Sequence, residues 1–121
     1  GINEIDRDRW FGFLEQFGRQ HRHWLTTMER TDPDGRRETL AHEVPLESIS
    51  LSGEGDIVTL FGGRGKAGPQ QERVKSPRRI LVALRDDGAH EGLHIEHTNG
   101  SVTNVRFRTT VRPEQLNGIT G

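Results

Sequence analysis

The stretch "EGLHIEHTNGSVTNVRFR", residues 91–108, consists of two alternating runs on either side of an Asn-Gly pair, and the register between them decides the fold. A two-residue turn at Asn99-Gly100 would set Leu93 against Arg106 and Ile95 against Asn104, mixing apolar and polar side chains on one face. A three-residue loop, Thr98-Asn99-Gly100 with Gly100 left-handed in a bulge, instead pairs Leu93 with Val105 and Glu91 with Phe107. That register gathers Leu93, Ile95, Val105 and Phe107 on a core side and leaves His94, Glu96, Arg106 and Arg108 facing out. The stretch therefore predicts an antiparallel hairpin with one apolar face.

The same pattern extends upstream. "RILVALR" (79–85) is apolar on both faces and predicts a central strand, turned at Asp86-Asp87-Gly88 into the hairpin. "DIVTLF" (56–61) and the charged "QQERVKS" (70–76), which Pro77 terminates, read as two more strands. "WLTTMER" (24–30) turns at Asp32-Pro33-Asp34-Gly35 into "ETLAHEV" (38–44), which Pro45 is expected to stop. Before residue 24 the period is 3.6: Trp10, Phe13, Leu14 and Phe17 form one helical stripe. Asp6 is placed to cap that helix, Ile5 and Trp10 have the spacing of a hydrophobic staple, and Gly18 weakens its last turn. The expectation is a single domain over 1–121, with a helix at about 6–21, an antiparallel sheet at about 24–108 and a short irregular C-terminal tail. Its class is α+β, an N-terminal helix packed on a curved antiparallel β-meander of about six strands.

Composition narrows the function. The chain of 121 residues is 30% hydrophobic and 29% charged, enough for one modest core in which two Trp and five Phe supply much of the buried area. It contains no cysteine, which removes disulfides, thiolate nucleophiles and cysteine-based zinc sites and fits a cytoplasmic location. No apolar run approaches the roughly 20 residues that span a bilayer, so no membrane association is expected.

The helix "RDRWFGFLEQFGRQHRHW", the strand "DIVTLFGG" and the closing "VTNVRFRTTVRPE" together resemble a small bacterial family catalogued only as a domain of unknown function. The likeness runs over most of the chain. Its motifs are core patterns, so the resemblance implies one compact domain and assigns no catalytic or binding residue.

Candidate chemistry is sparse. The glycine-rich turn after Phe61 imitates a phosphate-binding loop, yet Leu60 stands where the first glycine belongs and Ala67 where a Ser or Thr should hold magnesium. Six histidines, His21, His23, His42, His90, His94 and His97, are weighed as metal ligands. His94 and His97 point to opposite faces of a strand, so a site would need a pair assembled in space, such as His42 and His94 with Glu96. No metal, cofactor or catalytic residue is assigned, since no serine has a nucleophile-elbow context and the acids sit in turns and caps. The chain is not expected to be an enzyme.

Charge placement is the remaining lead. Between Gly62 and Arg79 six basic residues face one acid, Glu72, in a chain of formal net charge −1. Arg64, Lys66, Arg78 and Arg79 are the candidate anion-binding residues, with Arg106, Arg108 and Arg112 as an extension. The absence of tyrosine and the core assignment of the aromatics argue against nucleic acid, leaving a polyanion or nucleic acid as the less favoured partner. The favoured reading is a non-catalytic accessory or interaction domain that meets an unidentified protein partner or forms a homodimer, with the basic segment 62–79 as its expected contact surface. Val58, Leu60, Leu81 and Ala83 point away from the helix-facing set, and this apolar surplus is covered either by a sheet that curls into a partial barrel or by two copies packing face to face or edge to edge.

Overall fold

In the computed structural model, which describes residues 1–63 and 65–108, the deciding hairpin takes the three-residue register: Leu93 lies opposite Val105 and Gly92 opposite Arg106. His97 N–H donates to the Ser101 carbonyl at 2.9 Å, and Gly100 has φ +92°. Leu93, Ile95, Val105 and Phe107 are all buried. The same loop recurs three times. Asp32 with Arg36, Ser52 with Asp56 and Arg85 with Ala89 each close three residues with the same bond, and Gly35, Gly55 and Gly88 take the left-handed position.

The elements are β1 (Ile2–Ile5), a 3-10 turn (Arg7–Arg9), α1 (Trp10–Gln20), β2 (Leu25–Thr31), β3 (Arg37–Leu51), β4 (Ile57–Phe61), β5 (Gln70–Val74), β6 (Pro77–Leu84), β7 (His90–His97) and β8 (Val102–Phe107). All strand pairs are antiparallel, in the order β1-β6-β7-β8-β2-β3-β4-β5. The class is α+β as expected, with eight strands in place of about six. Because β8 pairs with β2, the meander breaks open between β5 and β6. Yet only Lys75 and Ser76 link those two strands, a span of roughly 11 Å at most across three Cα steps. The sheet must therefore curl until its two ends nearly meet.

Four local expectations are corrected. Pro45 does not stop its strand: β3 runs through it, pairing with β2 as far as Leu25 opposite Pro45 and with β4 from Leu46 opposite Phe61. A proline is tolerated there because β3 changes partners at that point, next to Glu43 at φ +47°. The strand "RILVALR" is second from the edge rather than central, because β1 adds outside it, Ile5 opposite Ile80. Asp6 makes no side-chain cap; its carbonyl accepts from Arg9 N–H at 2.9 Å as the 3-10 turn opens. The Ile5–Trp10 staple takes polar form, the indole Nε1 donating to the Ile5 carbonyl at 3.0 Å.

One core joins everything. Trp10, Leu14 and Phe17 of α1 meet Leu46, Ile49, Ile57, Phe61 and Val74 from one side of the curl and Met28, Ile80, Val82, Leu93, Ile95 and Val105 from the other. The helix lies along β3 where β2 has left it. Gly18 earns its place there, since a Cβ would stand 2.8 Å from the Ile49 amide nitrogen. The outer face of the larger sheet carries a ladder of ion pairs, Glu4–Arg79–Glu96 and Arg106–Glu29, which flanks the half-buried Leu81 and Ala83. No helix among the described residues is long and apolar enough to cross a membrane.

Candidate functional site

Of the four basic residues singled out from the sequence, Lys66 lies apart from Arg78 and Arg79 in the described structure. Arg64 lies outside the described residues, as do Arg112 and the C-terminal tail. Lys66 is exposed on the loop that joins Phe61 to Gln70, at one end of the β4–β5 hairpin. Arg78 and Arg79 start β6 beyond the hairpin's other end, five residue pairs and roughly 15 Å away along the strands. Both arginines are already engaged. Arg78 pairs with Glu96 at 2.7 Å, and Arg79 bridges Glu4 at 2.9 Å and Glu96 at 3.3 Å. The hydrogen bond from Arg79 holds the Glu4 carboxyl below its ordinary pKa, and Glu4 in turn raises that of Arg79. Arg73 pairs with Asp56 at 3.3 Å. Arg73, Arg78 and Arg79, three of the six basic residues of the segment, are thus met by acids from β1, β7 and the β3–β4 turn, which sequence proximity does not reveal.

The histidines divide in the same manner. His94 Nδ1 meets Asn104 Oδ1 at 3.1 Å, and its Nε2 lies 3.8 Å from Glu96. His42 sits on β3 beside Glu43 at 3.7 Å. Among the described residues no three His, Cys, Asp or Glu side chains are grouped so as to hold a metal ion. His97 is buried at the end of β7, with Nε2 2.7 Å from the Thr103 hydroxyl. Its pKa is lowered, first by burial and also by the positive charge of Arg30.

At the other end of β7 the structure assembles an aromatic cluster that the sequence pattern divides between helix and strand cores. The α1 stripe delivers Phe17 and, one turn on, His21, whose Nδ1 donates to the Phe17 carbonyl at 2.7 Å. That bond fixes the tautomer, and burial lowers the His21 pKa. The His21 ring stacks on Phe107 with centroids 4.4 Å apart and lies 5.1 Å from His90. Trp24 stands edge-on to both, 4.7 Å from His21 and 5.1 Å from Phe107.

Trp24 is the exception within the cluster. The expectation that aromatics fill the core fails for Trp24, 48% exposed, and for Phe11, 57% exposed. The cause is the sharp exit from α1, where His23 takes φ +74° and donates its N–H to the Leu46 carbonyl at 2.7 Å, rotating the next side chain outward. Trp24 is nevertheless held fast: its N–H donates to the His21 carbonyl, and its own carbonyl accepts from Leu46 N–H and the Thr26 hydroxyl. The chain next to it carries charges of both signs, in the ion pairs Arg22–Glu47 and Arg108–Glu43. The sequence signal that could have found it is "HRHW", four consecutive bulky polar or aromatic residues at a helix exit.

Comparisons with the curated proteins and with the solved structures each find no match. A family model described as a family of unknown function matches residues 2–117, nearly the full length of the chain. The protein therefore belongs to the DUF5335 family of unknown function.

Proposed function

We propose that the chain is a non-catalytic interaction domain that docks through a surface centred on Trp24, with a second copy of itself as the partner. The carrying observation is the indole itself: half exposed, clamped at its backbone and supported edge-on by His21 and Phe107. A large aromatic held in one orientation pays little ordering cost when it is buried at a contact, which is why such side chains serve as interface anchors. The rim of Arg22, Glu47, Arg108 and Glu43 carries both charge signs. An isologous two-fold contact needs that mixture, because each sign must meet its opposite on the same patch of the partner. The non-catalytic reading is supported by the histidines, two of which are buried, hydrogen-bonded and held neutral by burial.

The test is Trp24→Ala. Sedimentation of the wild type is expected to show a concentration-dependent dimer, and the variant is expected to weaken it by about tenfold or more, as befits an anchor worth at least about 1.4 kcal/mol. A dimer that survives the substitution unweakened rules out this surface.

A further inference from the structure

The end of the core opposite Trp24 holds a polar cleft of about 310 Å³, placed where the two ends of the curled sheet meet. Its walls come from three places: Arg73, Lys75 and Ser76 at the β5–β6 link, Arg30 and Asp32 at the end of β2, and His97 to Ser101 at the β7–β8 turn. From this arrangement we infer that the cleft is a binding site for a phosphate group, with Lys75, Arg73 and the Ser101 hydroxyl as its principal contacts.

Charge, free donors and strain carry the inference together. Arg30, Arg73 and Lys75 put three cations on the lining against one acid, Asp32. Arg30 is shared with Asp32 at 3.7 Å and Glu38 at 2.6 Å, and Arg73 with Asp56 at 3.3 Å. Lys75 is in no ion pair among the described residues, although its charge is felt by Asp56. An arginine shared with a carboxylate still has N–H groups to spare, while a lysine without an ion pair supplies a full compensating charge.

Ser101 provides the second, independent observation. It is only 3% exposed and lines the cleft, and its backbone N–H and carbonyl are engaged with Asn99 and His97, which leaves its hydroxyl as the polar group available to a ligand. A hydroxyl on the wall of a polar cleft can donate to an anion that enters it. Ser76 adds a third. It is one of three non-glycine residues at positive φ among the described residues, at +49°, pinned there by Asp56, which accepts from its N–H at 3.0 Å, and by Thr98 N–H, which donates to its carbonyl at 2.9 Å. Backbone strain that the surroundings enforce concentrates at binding sites. The His97 side chain is held from the β8 side, its Nε2 lying 2.7 Å from the Thr103 hydroxyl.

Arg73 and Lys75 at the β5–β6 link, Arg30 on β2 and Ser101 at the β7–β8 turn line the cleft from three parts of the chain, and such a set of donors suits an anion with several oxygens. The volume leaves room for a small polar substituent beside the phosphate, against Thr98 and Asn99. This site shares no residue with the Trp24 surface, so either proposal can fail alone.

The experiment is a titration of ¹⁵N-labelled protein with inorganic phosphate and, separately, with glycerol 3-phosphate, followed at the backbone amides. Saturable shifts at Ser76, Thr98 and Ser101 are expected, and Lys75→Ala should weaken binding about tenfold or more, as loss of a charge-assisted contact does. Lys66→Ala, on the distant loop, should leave affinity unchanged. Tighter binding of glycerol 3-phosphate assigns the cleft to phosphomonoesters, and tighter binding of inorganic phosphate assigns it to the free anion. The inference is overturned if neither ligand shifts these amides, or if Lys75→Ala binds as well as the wild type. Lys75 is exposed, so the variant is expected to fold, and its amide spectrum checks this directly.

Discussion

Gly18 shows how one residue can mean opposite things in sequence and in structure. In an isolated helix, replacing it with alanine should stabilise by about 1 kcal/mol. In the folded chain the added Cβ meets the Ile49 amide nitrogen at 2.8 Å, a backbone atom that has no rotamer to move out of the way. Gly18→Ala is therefore expected to cost about 1–3 kcal/mol, the usual penalty of overpacking. A urea titration checks the sign, and a gain in stability would show that the helix does not lie against β3 this closely. Thr59 offers a second single-residue test. It is 1% exposed in the middle of β4, and its hydroxyl is buried without a partner. Thr59→Val keeps the shape and removes the unsatisfied group, so it should raise stability by about 1 kcal/mol. A loss of similar size would mean that the hydroxyl is in fact bonded. At this scale the sequence is legible where chemistry is local, as at Gly100, and opaque at Gly18, whose reason lies 31 positions away in β3.

Among the elements, the hairpins were the most readable because each turn carries its own geometry in its residues. Asp34, Asp87 and Asn99 each accept from the N–H two residues on, and a glycine follows each of them in the left-handed position. The turn at Ser52–Asp56 obeys the same backbone rule with Gly55 at φ +87°, while Gly53 in the same turn does not take the left-handed φ; both have open space around them. Gly55→Ala is thus expected to lose about 1 kcal/mol or more and Gly53→Ala to be neutral or slightly stabilising. Comparison of their melting temperatures checks this, and equal losses would contradict the turn geometry. Two elements escaped the sequence for a different reason. β1 is four residues long with only Ile5 buried, too short to show a period, and it exists because β6 presents an open edge. The continuation of β3 past Pro45 depends on the strand changing partners, which is a property of the sheet and not of the residues. The candidate site was hidden in the same way. The basic segment was visible, but the acids that neutralise Arg73, Arg78 and Arg79 are 17 to 75 positions distant.

At the scale of the whole molecule, the curl of the sheet leaves two ends with different chemistry, joined by β7 from His90 to His97. Each end buries a histidine, His21 in one and His97 in the other, and burial lowers both pKa values below the ordinary 6.5. The unfolded chain therefore binds protons near pH 6.5 that the folded chain refuses until lower pH. Stability should be level above about pH 7 and should fall as the pH drops below 6.5. A second decline at lower pH is expected from Glu4 and Asp56, whose folded-state pKa values are depressed by Arg79 and by the Ser76 N–H respectively. Thermal melts from pH 8 to pH 3 check both steps, and a melting temperature unchanged between pH 7 and pH 5 would show that the two histidines are not shielded as described.

The central claim is that the Trp24 end makes the contact by which this domain works, and native mass spectrometry of the wild type beside Trp24→Ala tests it most directly. A dimer is expected for the wild type and a dimer weakened by about tenfold or more, seen as mostly monomer, for the variant, with the two proteins melting within a few degrees of each other. A wild-type protein that stays monomeric across the accessible concentration range would contradict it.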